Sequence, residues 1–594
     1  MVPVTAGIPQ RPKGRRRGAV TARGEPMVWL TGSCIASAVL MIVGLLAFIM
    51  FNGFTTFWPL PLAKVTTNTG KVILGEPTRD DAYTYLVTLP VNEQPKLGAG
   101  QSAIVVATDE TKGEKSVRIT TERKLYKTGN YDLTGEDFNW VDTKDVVSVE
   151  YPKWGLVIER MAWLNAYGEI ESITVDGQTT TGAQAAWTKF QDVHPGIRAL
   201  IEEATDIERH DMGDISHELN KIRLELRSIS MRDGNDSEQL KTATARLQPR
   251  VDELTKNIDV LRKQATALRD KAATATMVVR TSEGKVIPAD RSKLDGPMEV
   301  GQVVRTYPAN DLGFFDKWGV YFSRWGEYLF DEPREANMEG GVWPAIVGTV
   351  LLTFIMIICV VPIGVIAAIY LREYAKQGVF VSIVRISVNN LAGVPSIVYG
   401  VFGLGFFCYL VGGSIDQIFF SERLPDPTIG KSALLWASLT LALLTLPVVI
   451  VATEEALASV PTSMREGAYG CGASKWQVIW RIVLPRAMPG VMTGTILAIA
   501  RGAGEVAPLM LVGAVKLAPE LPANLEPPFF GSNLSFMHLG FHIYDLGFQS
   551  RNSEAARNMV YTTTLLLILI VVVLNITAMV LRSRLRRAYS ASQF

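Results

Sequence analysis

Cysteine is scarce in this chain: Cys34, Cys359, Cys408 and Cys471 are the only four in 594 residues, and none lies between positions 52 and 340. A disulfide framework is therefore excluded for the long polar stretch, whatever compartment it faces. The five histidines form no cluster with cysteine at zinc-ligand spacing, so no metal site is expected. An excess of charge of one sign is also lacking: the formal net charge of +1 gives no global field that would select nucleic acid or an acidic partner. No nucleophile-base pair stands out, and no catalytic residue is assigned. The nearest approach to a nucleotide loop is "PDPTIGKSALL" (425–435), where Pro425 replaces the first required glycine and an apolar run follows instead of a soluble helix. The chain is thus expected to bind no cofactor and to catalyse no bond-breaking step. Cys34 in "TGSC" is not read as a lipidation site, because the apolar run follows it.

Long apolar runs are what the sequence has instead. A spanning helix needs about 20 mostly apolar residues, and six segments qualify: 27–51, 343–370, 391–412, 432–452, 488–514 and 559–581. The first follows "RPKGRRRGAVTARGE", too basic to cross easily, and reads as an uncleaved anchor after a basic cytoplasmic N-terminus, 1–26. Alternation from there places 371–390, 453–487 and the basic tail 582–594 on the cytoplasmic side. Those segments carry Arg372, Lys376, Arg385, Arg465, Lys475, Arg481 and Arg486, whereas the loop 413–431 carries only Arg423 and Lys431. The bias agrees with six spans and both termini inside.

Residues 52–340 then form one large outer segment. "SAIVVAT", "KSVRITTE" and "DVVSVEY" have the alternation and β-branched content of strands. Within it, 197–272 changes period. Ile215, Leu219, Ile222, Leu226 and Ile229 recur at 4-3-4-3 spacing, "RDGND" (232–236) supplies a turn, and Leu247, Val251, Leu254, Ile258, Leu261, Ala265 and Leu268 resume a heptad seam. Two such helices predict an antiparallel coiled-coil hairpin, with Pro249 kinking the second or marking its first turn. Strand-like sequence returns at "ATMVVRTSEGKVIPA". Further on, Phe314, Trp318, Tyr321, Trp325 and Tyr328 share one helical face, which suits either an interfacial amphipathic helix or one moving with a gate. His538 and His542 sit one helical turn apart without a third ligand and read as packing.

The polar stretch "EGAYGCGASKWQVIWRIVLP" (466–485) is far longer than a connection between two spans requires. Its Glu466, Ala468, Gly472, Ile482, Leu484 and Pro485, in the pattern E-x-A-x3-G-x9-I-x-L-P, resemble the cytoplasmic coupling loop of ABC importer permeases. In that family a short helix docks on the ATPase subunit and the glycine makes the turn. Glu454 and Glu455, in "ATEEALASVPTSMREGAYGCGASKW", belong to the same surface. With "AIARGAGEVAPLM", "NNLAGVPSIVYGVFG" and "IGVIAAIYLREYAKQG", the chain resembles the A-type permease subunit of the bacterial phosphate-specific ABC importer over its first span and 340–594.

The resemblance implies an α-helical integral membrane protein of the type I ABC importer permease fold, with six transmembrane helices. The permease domain would be 341–581, with a coupling loop at 453–487, in a bacterial inner membrane. Residues 52–340 would be an inserted periplasmic α/β domain carrying the coiled-coil hairpin; family members usually have a short loop there. Implied partners are a second homologous permease, a homodimeric cytoplasmic ATPase using ATP-Mg, a periplasmic phosphate-binding protein and the lipid bilayer, but no nucleic acid. Other oxyanions (molybdate, sulfate, phosphonate) are the nearest alternative cargo, and a membrane sensor a more distant one.

Arg501 lies near the middle of 488–514, with Glu505 four residues on and so on the same helical face. A mid-membrane charge costs about 2.5–3.5 kcal/mol on insertion scales and needs a reason. Two readings stand: a self-neutralising structural pair, or an arginine that meets the oxyanion on the translocation path while Glu505 keeps it from binding too tightly. The family resemblance implicates an Arg and a Glu at these positions in transport. In "NNLAGVPSIVYG", Gly393 and Pro395 break the third span. Asn389, Asn390, Pro395 and Ser396 then either line the same path or mark a kink made for packing.

Overall fold

The computed structural model describes residues 26–109, 114–288, 296–518, 521–522, 531–550 and 552–590. The basic N-terminus 1–26, except Pro26, and the last four residues of the tail lie outside the described residues. Helix α1 (Pro26–Thr55) leads into two antiparallel sheets. The first, ordered β3-β4-β2-β1-β6 with β5 against β4, comprises Ala63–Thr67, Val72–Pro90, Gln101–Asp109, Glu114–Lys127, Phe138–Asp142 and Val146–Glu150 as β1 to β6. The second, ordered β11-β10-β8-β7-β12 with β9 against β8, comprises Gly155–Arg160, Ala166–Val175, Gln178–Thr181, Thr276–Arg280, Met298–Glu299 and Val303–Pro308 as β7 to β12. The strand-like runs noted in the sequence lie in β3, β4, β6 and β10.

Between β9 and β10 the chain leaves the sheets as a helical hairpin. Its first arm, α2, runs through Ala183–Asp206, a wide π turn Ile207–Asp211 and Met212–Asp233; its second, α3, is Glu238–Ala273. Ile222, Leu254 and Ala265 are buried in the seam, and Arg246–Glu225, Arg250–Glu218 and Arg269–Glu208 cross it at 2.6, 2.9 and 2.6 Å. The first arm begins earlier than 197 because Ala186, Phe190 and Ile197 are buried against the second sheet. Pro249 lies inside α3, so it marks no first turn.

Helix α4 (Phe314–Phe330) joins this domain to the membrane helices. Its aromatic stripe turns toward them: Tyr328 donates from its hydroxyl to Thr563 Oγ1 (2.9 Å), Tyr321 to the Phe54 carbonyl (3.0 Å), and Trp325 packs edge-on against Phe57 at 5.1 Å. Its other face carries ions. Arg324 pairs with Glu159 of β7 at 2.5 Å, Arg305 bridges Glu159 (2.6 Å) and Glu327 (2.9 Å), and Arg334 pairs with Glu327. Burial alone would raise the Glu159 pKa, but the Arg324 and Arg305 guanidiniums outweigh it and hold it below the usual carboxylate range. Nearby, burial pushes Glu339 up to about 7 against the opposing pull of Lys127. The insert enters and leaves through one clasp: the Asn310 side chain accepts from Leu62 N (3.0 Å) and donates to the carbonyls of Leu62 (2.8 Å) and Pro152 (2.9 Å).

The bundle follows: α5 (Trp343–Ile369), α6 (Val379–Leu391), α7 (Ser396–Phe402 continuing through Gly403–Gly412 and Gly413–Phe419), α8 (Leu434–Ala458), α9 (Thr462–Gly470), α10 (Lys475–Val478, Ile479–Val483 and Leu484–Gly502) and α11 (Ser553–Ser590). Among the described residues six helical stretches are long and apolar enough to cross a membrane: Trp29–Thr55, Trp343–Tyr374, Ser396–Phe419, Leu434–Ala458, Lys475–Gly502 and Ser553–Arg584. The core lies where α5, α8 and α10 meet, with Leu352, Met356, Leu441, Val449 and Ala498 buried. Small residues let α8 and α10 approach closely: a Cβ on Gly490 would stand 2.4 Å from that of Ala456, and one on Gly494 2.7 Å from that of Ala452. By contrast α1 keeps its apolar surface exposed, Leu40 and Met41 at 74% each, and meets α11 near its C-terminal end, where Phe48 packs edge-on to Tyr561.

Three expected boundaries are corrected. The third span is not 391–412: α6 ends at Leu391 and the spanning helix starts at Ser396, because Pro395 lacks a donor and disfavours helix at Val394. The fifth is not 488–514: α10 starts at Lys475 and ends at Gly502, before Gly504 and Pro508. The connection 453–487 accordingly shrinks, since α8 runs to Ala458 and α10 begins at Lys475, leaving 459–474 between them.

Candidate functional site

Arg501 occupies the last turn of α10, where a cation also meets the negative end of the helix dipole. Glu505 is beyond the helix, so the two do not share a helical face as the sequence suggested; the turn through Ala503 and Gly504 folds the glutamate back. Their separation, Arg501 Nε to Glu505 Oε1, is 3.5 Å, with the side chains 34% and 23% exposed. The pair is half-open, at a helix end.

The turn after Arg501 rests on two neighbours. A Cβ on Gly502 would stand 2.4 Å from Met356 Sδ on α5, and one on Gly400 of α7 would stand 2.8 Å from Pro508 Cα. Gly400 belongs to the segment opened by Pro395 and Ser396. There Gly393 N donates to the Asn390 carbonyl (3.0 Å), Val394 N to the Leu391 carbonyl (3.2 Å) and the Tyr399 hydroxyl to the Leu391 carbonyl (2.6 Å), which fastens the break. The structure thus brings 395–400 beside the turn 503–508. Asn389 and Asn390 lie across the break, exposed in the last turn of α6. Among the described residues no hydrogen bond joins their side chains to Arg501 or Glu505.

A second constellation covers one end of the bundle. Gly472 has φ +80° and caps α9: its own N–H donates to the Tyr469 carbonyl (2.9 Å) and that of Ala473 to the Ala468 carbonyl (3.1 Å). Ser474 then caps α10, accepting from Gln477 N. The apolar side chains of this turn hold it down: Leu457, Val460, Val478, Ile479 and Val483 are buried, with Ala468, Ala473 and Leu484 packed against them. Glu454 pairs with Arg385 of α6 at 3.4 Å. Ile482 and Pro485 are half-buried, while Glu455, Glu466 and Gly472 face outward.

Sequence reasoning missed the groups that tie this turn down and those it displays. Arg465 pairs with Glu373 at 3.0 Å and donates to the Leu457 carbonyl (2.7 Å), and Lys475 lies 4.8 Å from the Tyr374 ring centre. Trp476 and Trp480 stack at 5.4 Å and are 59% and 55% exposed. Their i, i+4 spacing in "KWQVIW" was the available signal. An exposed aromatic pair rimmed by polar residues on a clamped helix-turn-helix is suited to docking a partner. The remaining candidate pair, His538 and His542, is buried; burial pushes both pKa values down to about 4, so both rings stay neutral. Among the described residues no group of three or more His, Cys, Asp or Glu could hold a metal ion.

Residues 346–590 match the family of binding-protein-dependent transport system inner membrane components. Among curated relatives, the phosphate transport system permease protein PstA of Mycobacterium leprae is 41% identical over 179 residues, 30% of this chain and 53% of that protein. PstA 1 of Mycobacterium tuberculosis is 37% identical over 197 residues, 33% and 59%. PstA of Yersinia pestis is 37% identical over 185 residues, 31% and 56%. The chain thus spans somewhat over half the length of the relatives it matches. Among solved structures it aligns with a chain of a bacterial ABC transporter involved in the import of the acidic polysaccharide alginate, at 17% identity and a TM-score of 0.33 over 44% of this chain and 83% of that one.

Proposed function

We propose that this chain is one permease subunit of an ATP-driven importer carrying inorganic phosphate from periplasm to cytoplasm, a reading supported by the match of residues 346–590 to the binding-protein-dependent transport system inner membrane components. A second, homologous permease completes the pore, a dimeric cytoplasmic ATPase supplies the energy from ATP-Mg, and a periplasmic binding protein delivers phosphate. Both termini are cytoplasmic and 52–340 is periplasmic, an orientation supported by the charge of the short loops. The observation that carries the reading is the clamped turn 459–474, capped at Gly472, with Trp476 and Trp480 displayed beside it at the start of α10. ATPase closure moves that turn as a rigid body, and α8 and α10, continuous with it, pass the motion into the bundle. Arg501, at the far end of α10, then changes its access to the anion path.

The guanidinium offers forked donors to phosphate oxygens and never deprotonates, while Glu505 competes for it so that the anion is released. The test is ATP-dependent uptake of labelled phosphate by vesicles holding the assembled complex, with Arg501→Ala beside wild type. Uptake lost with assembly intact supports the path. Unchanged uptake in the variant makes the pair structural. A wild type that carries molybdate, sulfate or a phosphonate instead keeps the permease and overturns the cargo.

A further inference from the structure

The first arm of the hairpin does not stand free. Asn220, Arg223, Leu224 and Arg227 lie on one face of α2 and meet the connection between α7 and α8, where Arg227 Nη2 donates to the Leu424 carbonyl. Between the two lies a cavity of about 210 Å³, completed by Arg423, Asp426, Thr428, Lys431 and Asn533. This is the stretch whose glycine and lysine imitate a nucleotide loop.

Four cations, Arg223, Arg227, Arg423 and Lys431, line that cavity against one carboxylate, Asp426. The other hairpin arginines at its seam, Arg246, Arg250 and Arg269, each have a glutamate partner. Among the described residues Arg223, Arg423 and Lys431 have none. The wall is also rigid: the buried Asp416 carboxylate accepts from Ile429 N (3.0 Å) and Gly430 N (2.6 Å), and Trp436 Nε1 donates to the Ile429 carbonyl (2.6 Å). Held next to these groups, Thr428 is 3% exposed, and its hydroxyl has no hydrogen-bond partner. A buried hydroxyl without a partner costs stability unless a ligand or water satisfies it.

We infer that this cavity binds a phosphate oxyanion, contacted by the Arg223, Arg227, Arg423 and Lys431 side chains and by the Thr428 hydroxyl. Guanidinium forks match the oxygens of a tetrahedral anion, and here they line one cavity from two separate elements, the hairpin and the α7–α8 connection. The bound anion removes the repulsion among the four cations, so it also seats the hairpin on the loop. By linkage, seating the hairpin tightens the anion in turn. In naming free phosphate as the occupant, the inference rests on the transport reading above; the phosphate of a lipid headgroup shares the chemistry.

The test uses the full chain, purified in detergent without acidic lipid, and labelled inorganic phosphate in equilibrium dialysis at fixed ionic strength. Amide exchange of 216–233 and 421–431 is followed in parallel. Wild type should bind saturably, with slower exchange in both segments. The double variant Arg223→Gln, Arg423→Gln should bind at least about tenfold more weakly, as expected for losing two charge-assisted contacts. Arg246→Gln, which breaks a pair elsewhere on the hairpin, should bind as wild type does and so controls for hairpin folding. No binding by wild type, or undiminished binding by the double variant, overturns the site. Loss of phosphate binding in nanodiscs containing phosphatidylglycerol, restored in neutral ones, keeps the site and assigns it to a headgroup. Binding without phosphate uptake by the complex would keep the site and sink the transport reading.

Discussion

Glu339→Gln gives the sharpest test of the joint between the inserted domain and the bundle. Burial raises the Glu339 pKa from an ordinary 4.5 to about 7, and Lys127 and Arg334 only partly oppose it. Below pH 4.5 the carboxyl is neutral in both folded and unfolded chains and the two proteins should be equally stable. As pH rises from 4.5 to 7, the unfolded chain gives up this proton while the folded chain keeps it, so wild-type stability falls across that window and is flat above it. A gap of about 2.5 pH units at about 1.4 kcal/mol each amounts to roughly 3.5 kcal/mol. The amide of Gln has the same shape and does not titrate. Apparent melting temperatures of both proteins in detergent should therefore coincide at pH 4.5 and diverge by pH 8, with Glu339→Gln the higher. A wild type as stable as the variant at pH 8, or more so, would refute the reasoning: Lys127 and Arg334 would then hold the site as an anion.

Glu159→Gln should uncouple the two halves, because Arg305 and Arg324 keep their charge in a buried site and lose their main acceptor, at about 3–5 kcal/mol; limited proteolysis around 300–335 should speed up. Gly472→Val forces a β-branched residue into a left-handed turn at φ +80°, costing roughly 1–3 kcal/mol; the chain should still insert but no longer co-purify with the ATPase proposed above. Gly400→Ala puts a methyl 2.8 Å from Pro508 Cα, an overpacking worth about 1–3 kcal/mol; uptake and melting temperature should fall together.

Apolar runs announced the six spans because a bilayer demands length and composition, both of which are local properties. The heptad seam announced the hairpin for the same reason. What the sequence hid depends on where helices stop. Hydropathy averages through the break at Pro395 and through the end of α10, though Gly502, Gly504 and Pro508 carried that second signal. Arg501 consequently looked like a mid-membrane charge and is a helix-end one. The ion network of the joint draws on Glu159, Arg305, Arg324, Glu327 and Arg334, which no local pattern relates. Nor could spacing show that Arg223 and Arg423 would line one cavity.

The Asn310 clasp carries a consequence for how such a chain is put together. One side chain bonds Leu62, 248 positions earlier, so the insert begins and ends at a single point on the rim. Seen from α1 and α4, everything between Leu62 and Asn310 closes like a tight turn, and its bulk places no demand on the spacing of those two helices. Closing so long a loop costs little more than closing a short one, since the entropy grows only with the logarithm of length. A membrane scaffold can therefore bear a cargo of this size at its rim without changing where the chain leaves and re-enters the frame.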